Sequence, residues 1–261
     1  MDINLKGKNA FVGGSSRGIG KATAIELAKL GANITLVSRS ADMMINIVHE
    51  LDKSQGQHHD FLVVDFNDIE NLKKQAYALA LKKDIHILVN NTGGPAPGGM
   101  LETGLNDFLE AFKNHLICNH MLVKIFINGM KKSSYGRIIN IISTSVKEPL
   151  EGLGVSNTTR AAVANWAKTL ANELGEFGIT VNNVLPGFTD TERLSEILKI
   201  RAEKQNLSEE KVIEKMKKTV PLGRFAEPKE LGMAVAFLAS PAASYISGTN
   251  LVVDGGRTKS H

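Results

Sequence analysis

The sequence predicts an α/β fold: a single domain with a parallel sheet covered by helices on both faces. Three observations predict it. Short apolar runs alternate with amphipathic stretches of helical length along the whole chain. The first run leads through a glycine-rich turn straight into a helix. The 261 residues are 43% hydrophobic and 22% charged, ordinary globular composition and ample for one core. Strands separated by helices pair in parallel, because parallel pairing needs crossover connections.

Asn9 to Val12 reads as a buried strand, followed by Gly13-Gly14-Ser15-Ser16-Arg17-Gly18-Ile19-Gly20. Ile19, Thr23, Leu27 and Leu30 then recur at helical spacing, and Gly31 supplies a stop. Asn33 to Val37 is the second strand, with a helix from Asp42 to Lys53. The loop Ser54 to His59 carries a His-His pair, expected to be solvated. Phe61 to Val64 and a helix from Asp68 to Lys82 follow, then a strand from Ile85 to Val89. That strand runs into Asn90-Asn91-Thr92-Gly93-Gly94 and a segment with Pro95 and Pro97. One long helix is expected from Asn106 to Met130, a strand from Arg137 to Ile142, a helix ending near Glu176, and a strand from Thr180 to Val184. After Pro186-Gly187, a charged two-piece helical stretch from Glu192 to Lys218, restarted at Ser208, reads as a substrate lid inserted at about residues 190–220. A helix from Pro228 to Ala239 and a strand from Thr249 to Val253 complete seven strands in one domain, residues 1–261.

Net charge is +4 and the pI about 9.0. The lysine pairs Lys73-Lys74, Lys82-Lys83, Lys131-Lys132 and Lys217-Lys218 are scattered, several of them near expected helix C-termini, which argues against a nucleic-acid surface. Cys118 is the single cysteine, so no internal disulfide forms. No leader-like or membrane-spanning run is seen, and the expected setting is the cytoplasm.

The strand–glycine turn–helix order aims backbone N–H groups and the positive end of a helix dipole at one point, where a pyrophosphate fits. The second strand ends in Ser38-Arg39 with no acid to hold a ribose 2′-hydroxyl. Arg39, aided by Arg17, suits a 2′-phosphate, which favours NADP over NAD. Asp65, ending the third strand, is placed to accept from an adenine amino group.

With these residues the chain resembles the short-chain dehydrogenase/reductase superfamily, and most nearly its 3-oxoacyl-carrier-protein reductases. Gly13 to Gly20 is similar to the family's Thr-Gly-x-x-x-Gly-x-Gly loop, with Gly13 in place of threonine. Asn90 to Gly93 resembles Asn-Asn-Ala-Gly, and Val253 to Gly256 resembles the C-terminal Val-Asp-Gly-Gly. Val181-Asn182, Pro186-Gly187 and Thr191 also match. The resemblance implies a doubly wound Rossmann-type domain with helices on both faces. It implies a coenzyme held by Gly14, Ser16, Arg17, Gly18, Ile19, Gly20, Arg39, Asp65, Phe66, Asn91, Thr92, Gly93, Arg160, Pro186, Gly187, Thr189 and Thr191. It further implies that Ser143 binds a substrate carbonyl, that Asn114 holds a water, and that the chain forms a tetramer or dimer through the Asn106 to Met130 and Ser156 to Glu176 helices and the last strand.

The catalytic pair departs from the family. Where Tyr-x-x-x-Lys is usual, the register set by Ser143 and Ala161-Ala162 gives Ser156 and Arg160. A tyrosine titrates near ~10 and can be tuned, whereas an aliphatic hydroxyl is a far weaker acid and arginine keeps its proton. Tyr77, Tyr135 and Tyr245 all fall at the wrong end of the sheet to substitute. His115, Lys147 and Glu148 are near the site in sequence, but His115 is expected to be structural and the loop charges solvated. Trp166 is expected in the core or a subunit contact. The expectation is an NADP-dependent oxidoreductase acting on a small-molecule carbonyl or alcohol with a non-standard proton donor, the alternative being a disarmed NADP-binding sensor or scaffold. No nucleic-acid, membrane or metal partner is expected.

Overall fold

The computed structural model describes residues 1–260. Among them, seven parallel strands form one sheet in the order β3-β2-β1-β4-β5-β6-β7. The strands are β1 (Asn9–Gly13), β2 (Asn33–Ser38), β3 (Asp60–Val63), β4 (Ile87–Asn90), β5 (Gly136–Ile141), β6 (Ile179–Pro186) and β7 (Asn250–Val253). The chain moves outward from β1 to β3, then returns to place β4 on the other side of β1. The sheet therefore has its topological switch between β1 and β4, and a cleft opens at their carboxyl ends.

Helices α1 (Gly18–Lys29), α2 (Ala41–Glu50) and α9 (Pro228–Ala239) cover one face. Leu27, Leu231 and Val235 are fully buried there. Helix α1 and α9 touch so closely that a Cβ on Gly232 would lie 2.8 Å from the Ala22 carbonyl oxygen. Helices α3 (Ile69–Ala80), α5 (Cys118–Lys132) and α6 (Gly154–Leu174) cover the other face, where Phe126 packs on Phe11. Helices α7 (Glu192–Gln205) and α8 (Glu209–Lys218) form the inserted hairpin, with Ser208 capping α8 through the Lys211 N–H. Leu194, Leu198, Val212 and Met216 give it a small core of its own.

Two expectations need correction. The long helix from Asn106 to Met130 is interrupted: α4 (Leu105–Phe112) passes through a π-helical turn, Lys113–Ile117, into α5. A π turn adds a residue to the helical repeat and rotates every later side chain. The paired histidines are not both solvated either. His59 Nδ1 accepts from the Ile34 N–H at 3.1 Å and its Nε2 lies 2.8 Å from the Asp52 carbonyl oxygen, pinning the loop to β2.

An asparagine ladder crosses the sheet just below the cleft. Asn90, Asn140, Asn183 and Asn250 are in register on β4 to β7. Each donates to the next side-chain oxygen, at 2.8, 2.9 and 2.8 Å. Buried amides cost free energy unless paired, so the ladder fixes the register of the strand ends.

Candidate active site

The glycine turn is built by close backbone approach. Gly14 and Gly18 have φ of +57° and +55°, and a Cβ on Gly20 would lie 2.2 Å from the Gly14 oxygen. Asn91 Nδ2 donates to the Gly13 and Gly14 carbonyls at 3.1 and 3.4 Å, tying the turn to the end of β4. A Cβ on Gly13 would meet the Asn91 oxygen at 2.9 Å and the Phe66 ring at 3.1 Å, which accounts for glycine where threonine is usual. Ser15, which sequence reasoning passed over, is fully buried and its Oγ accepts from the Val37 N–H at 2.8 Å. Ser16 and Ile19 lie in the turn and the first turn of α1.

Arg17 is the N-cap of α1 and supplies no side-chain acceptor, so the first N–H groups of the helix stay open. Its guanidinium pairs with Glu192, the first residue of α7. Thr191 caps α7 by accepting from the Leu194 N–H, and its Cγ2 comes within 3.3 Å of where a Gly18 Cβ would be. The Pro186-Gly187 turn leads there, with Thr189 Oγ1 donating to the Gly187 oxygen at 3.3 Å. The α7–α8 hairpin thus starts against the glycine turn. Arg39 lies at the exposed rim, and the fold brings Asp65 to 3.9 Å from it, an acid that the sequence around β2 does not reveal.

Across the cleft, Ser143 follows β5, and its Oγ accepts from the Ser145 N–H at 3.0 Å. Ser156 and Arg160 are four residues apart on α6 and share a face. Arg160 is buried, and its Nη1 donates to the Ile141 carbonyl at 2.8 Å. A Cβ on Gly94 would lie 3.6 Å from its Nη2, so the Gly93-Gly94 segment borders the guanidinium. Burial, then the charge of Arg193, lowers its pKa to about 10, which leaves it a cation at neutral pH. No described carboxylate pairs with it.

The π turn decides which neighbour faces this cation. Asn114 Nδ2 donates to Asn67 Oδ1 at 2.6 Å, and Asn114 Oδ1 is buried with no partner among the described residues. His115, adjacent in sequence, is buried with Nδ1 2.7 Å from Thr92 Oγ1. Burial, then Arg160, lowers its pKa to about 2, so the ring stays neutral. The buried, hydrogen-bonded ring has the structural role expected of it, and it sits close enough to Arg160 to feel that charge. Glu148 departs from expectation. Rather than being solvated, it accepts from the Lys259 and Ser260 N–H groups at 2.8 and 2.9 Å and holds the C-terminal tail. Tyr135 donates to the Ala239 oxygen at 2.6 Å, and Tyr77 and Tyr245 are exposed. Trp166 is half-buried, its Nε1 donating to His120 at 3.3 Å.

A family profile described as enoyl-(acyl carrier protein) reductase matches residues 14–258. The 3-oxoacyl-[acyl-carrier-protein] reductase FabG of Aquifex aeolicus is 33% identical over 257 residues, 98% of this chain and 99% of that one. The chain belongs to the short-chain dehydrogenase/reductase family. Another relative in this family, the NADPH-dependent reductase BacG of Bacillus subtilis, is 30% identical over 264 residues, 97% of this chain and 98% of that one. Among solved short-chain dehydrogenase/reductase structures, L-sorbose reductase of Gluconobacter frateurii complexed with NADPH and L-sorbose superposes with a TM-score of 0.93. It is 30% identical, with both chains fully covered.

Proposed function

We propose that this chain is an NADP-dependent oxidoreductase that reduces a carbonyl compound, or oxidises the matching alcohol, with Ser156 and Arg160 in place of the usual tyrosine and lysine. The observation that carries this is the buried, carboxylate-free Arg160 guanidinium, set on the same helix face as Ser156 and tied to the β5 end that leads to Ser143. A coenzyme suits the cleft. The backbone cradle has no room for a Cβ on Gly14 or Gly20, and the start of α1 keeps open donors for a pyrophosphate. Gly14, Ser16, Arg17, Gly18, Ile19 and Gly20 would hold the phosphates, and Arg39 the 2′-phosphate, with Asp65 and Phe66 beside the adenine. Asn91, Thr92, Gly93, Arg160, Pro186, Gly187, Thr189 and Thr191 would line the nicotinamide end. The bound NADP supplies or accepts the hydride.

The protein supplies fixed charge and orientation. Ser143 and Ser156 hydroxyls hold the carbonyl oxygen, and Arg160 stabilises negative charge growing on it. Arginine keeps its proton, so it polarises without protonating. The orphaned Asn114 Oδ1 supports a bound water, the proton source in this reading. A binding-only sensor is the second reading, favoured by the neutral His115 and by the remote tyrosines. NADPH consumption across a panel of carbonyls separates the two. The double substitution Ser156→Tyr with Arg160→Lys sharpens the test: gain on generic ketones marks a disarmed site, and loss of a native activity marks a different chemistry. Exposed Leu105, Leu109 and Ile117 near the π turn support assembly as a dimer or tetramer. We place the protein in the cytoplasm; no helix of the described residues is long and apolar enough to cross a membrane.

A further inference from the structure

A second cavity, of about 250 Å³, lies between α7, α8 and the C-terminal tail. Its apolar floor is Phe188, Val212 and Met216, and its walls carry three cations, Arg201, Lys215 and Arg257. None of the three has a salt-bridge partner among the described residues. Arg257 is held in place from both sides. Asp254 accepts from the Gly256, Arg257 and Thr258 N–H groups at 2.9, 3.2 and 2.7 Å, and Glu148 clamps Lys259 and Ser260. Its guanidinium lies 4.4 Å from the centre of the Phe188 ring.

Three cations around one cavity, with no ion-pair partner among the described residues, are an unfavourable arrangement unless an anion completes it. Burial and Arg257 both disfavour the charge on Arg201, and Glu151 offsets this only as the smallest influence. Glu151 lies three residues before the start of α6 and five before Ser156, so the carboxylate that Arg201 feels belongs to the loop that leads to the catalytic serine. Phe188 directly follows Pro186-Gly187 at the end of β6.

We propose that this pocket is an anion subsite that holds the carboxylate or phosphate end of the substrate while its carbonyl reaches Ser143 and Ser156. The proposal rests on the oxidoreductase reading for the substrate's identity, but the pocket's preference for anions stands apart from it. Phe188 supplies a flat apolar face for the carbon chain next to the charge, and Arg201 and Arg257 grip the oxygens from two sides.

Titration calorimetry on the NADPH-saturated full chain, with succinate and with inorganic phosphate at constant ionic strength against chloride, tests the subsite and tells carboxylate from phosphate. The expected result is binding of one of them, weakened about tenfold or more in Arg201→Gln and in Arg257→Gln. NADPH titration of each variant checks its fold. No preference over chloride, or equal binding by the wild type and both variants, overturns the proposal. A kinetic arm compares 4-oxopentanoate with its methyl ester. A higher kcat/KM for the acid, lost in Arg257→Gln, supports the subsite, and equal values for acid and ester contradict it. If neither compound is turned over and NADPH fails to bind, the oxidoreductase reading falls, and calorimetry of the unliganded chain still judges the pocket.

Discussion

Arg160 Nη1 donates to the Ile141 carbonyl at 2.8 Å, so the buried cation on α6 is anchored to the end of β5 and not to an acid. Its charge therefore remains available to the cleft. Arg160→Gln removes a buried cation but leaves that carbonyl without its donor. The two effects oppose each other, and stability should change by only about 1–3 kcal/mol. Carbonyl reduction should fall by about 10² or more, as when one oxyanion donor is removed. Urea unfolding and steady-state rates on the same preparation check both.

Arg39 governs coenzyme choice in this account. Arg39→Gln should weaken NADPH binding about tenfold or more and leave NADH nearly unchanged, since only the 2′-phosphate differs. Asp65, 3.9 Å away, already offsets part of the Arg39 charge. Asp65→Asn should therefore tighten NADPH relative to NADH. Titration with both coenzymes reads each ratio.

Gly20→Ala puts a Cβ 2.2 Å from the Gly14 oxygen, against backbone that has little freedom to move. The variant should lose about 1–3 kcal/mol of stability and most of its coenzyme affinity. Gly175→Ala, at an exposed site with open space around it and an ordinary φ of −58°, is the control.

His115 makes stability depend on acid. In the folded chain its ring stays neutral down to about pH 2. In the unfolded chain it takes up a proton near ~6.5. Protons therefore favour the unfolded state: the contribution is full above that pH and declines as the pH falls below it, by about 2 kcal/mol at pH 5. His59 and His86 are lowered in the same direction, chiefly by burial. His115→Gln should lose less stability between pH 7 and 5 than the wild type. Denaturant midpoints at the two pH values measure the difference.

The sheet and the glycine turn were legible because their signals are local. Glycine spacing and apolar runs report backbone conformation directly, and α9 is found where Pro228 and Ala239 mark its ends. The wall around Arg160 was not legible. Asn114 and His115 are adjacent, and only the π turn at Lys113–Ile117 decides that His115 meets Thr92 while Asn114 meets Asn67. Apolar periodicity assumes a uniform helix and cannot show that added residue. The asparagine ladder and the Glu148 clamp on the tail were hidden for another reason. They join residues brought together only by strand order, such as Asn140 with Asn183 or Glu148 with Lys259.

The direct test of the central claim is calorimetric titration of the wild-type chain with NADPH and, separately, NADH. One binding event per chain, tighter for NADPH, is the predicted result. The absence of heat with both coenzymes would contradict the account of the cleft and of Arg160 within it.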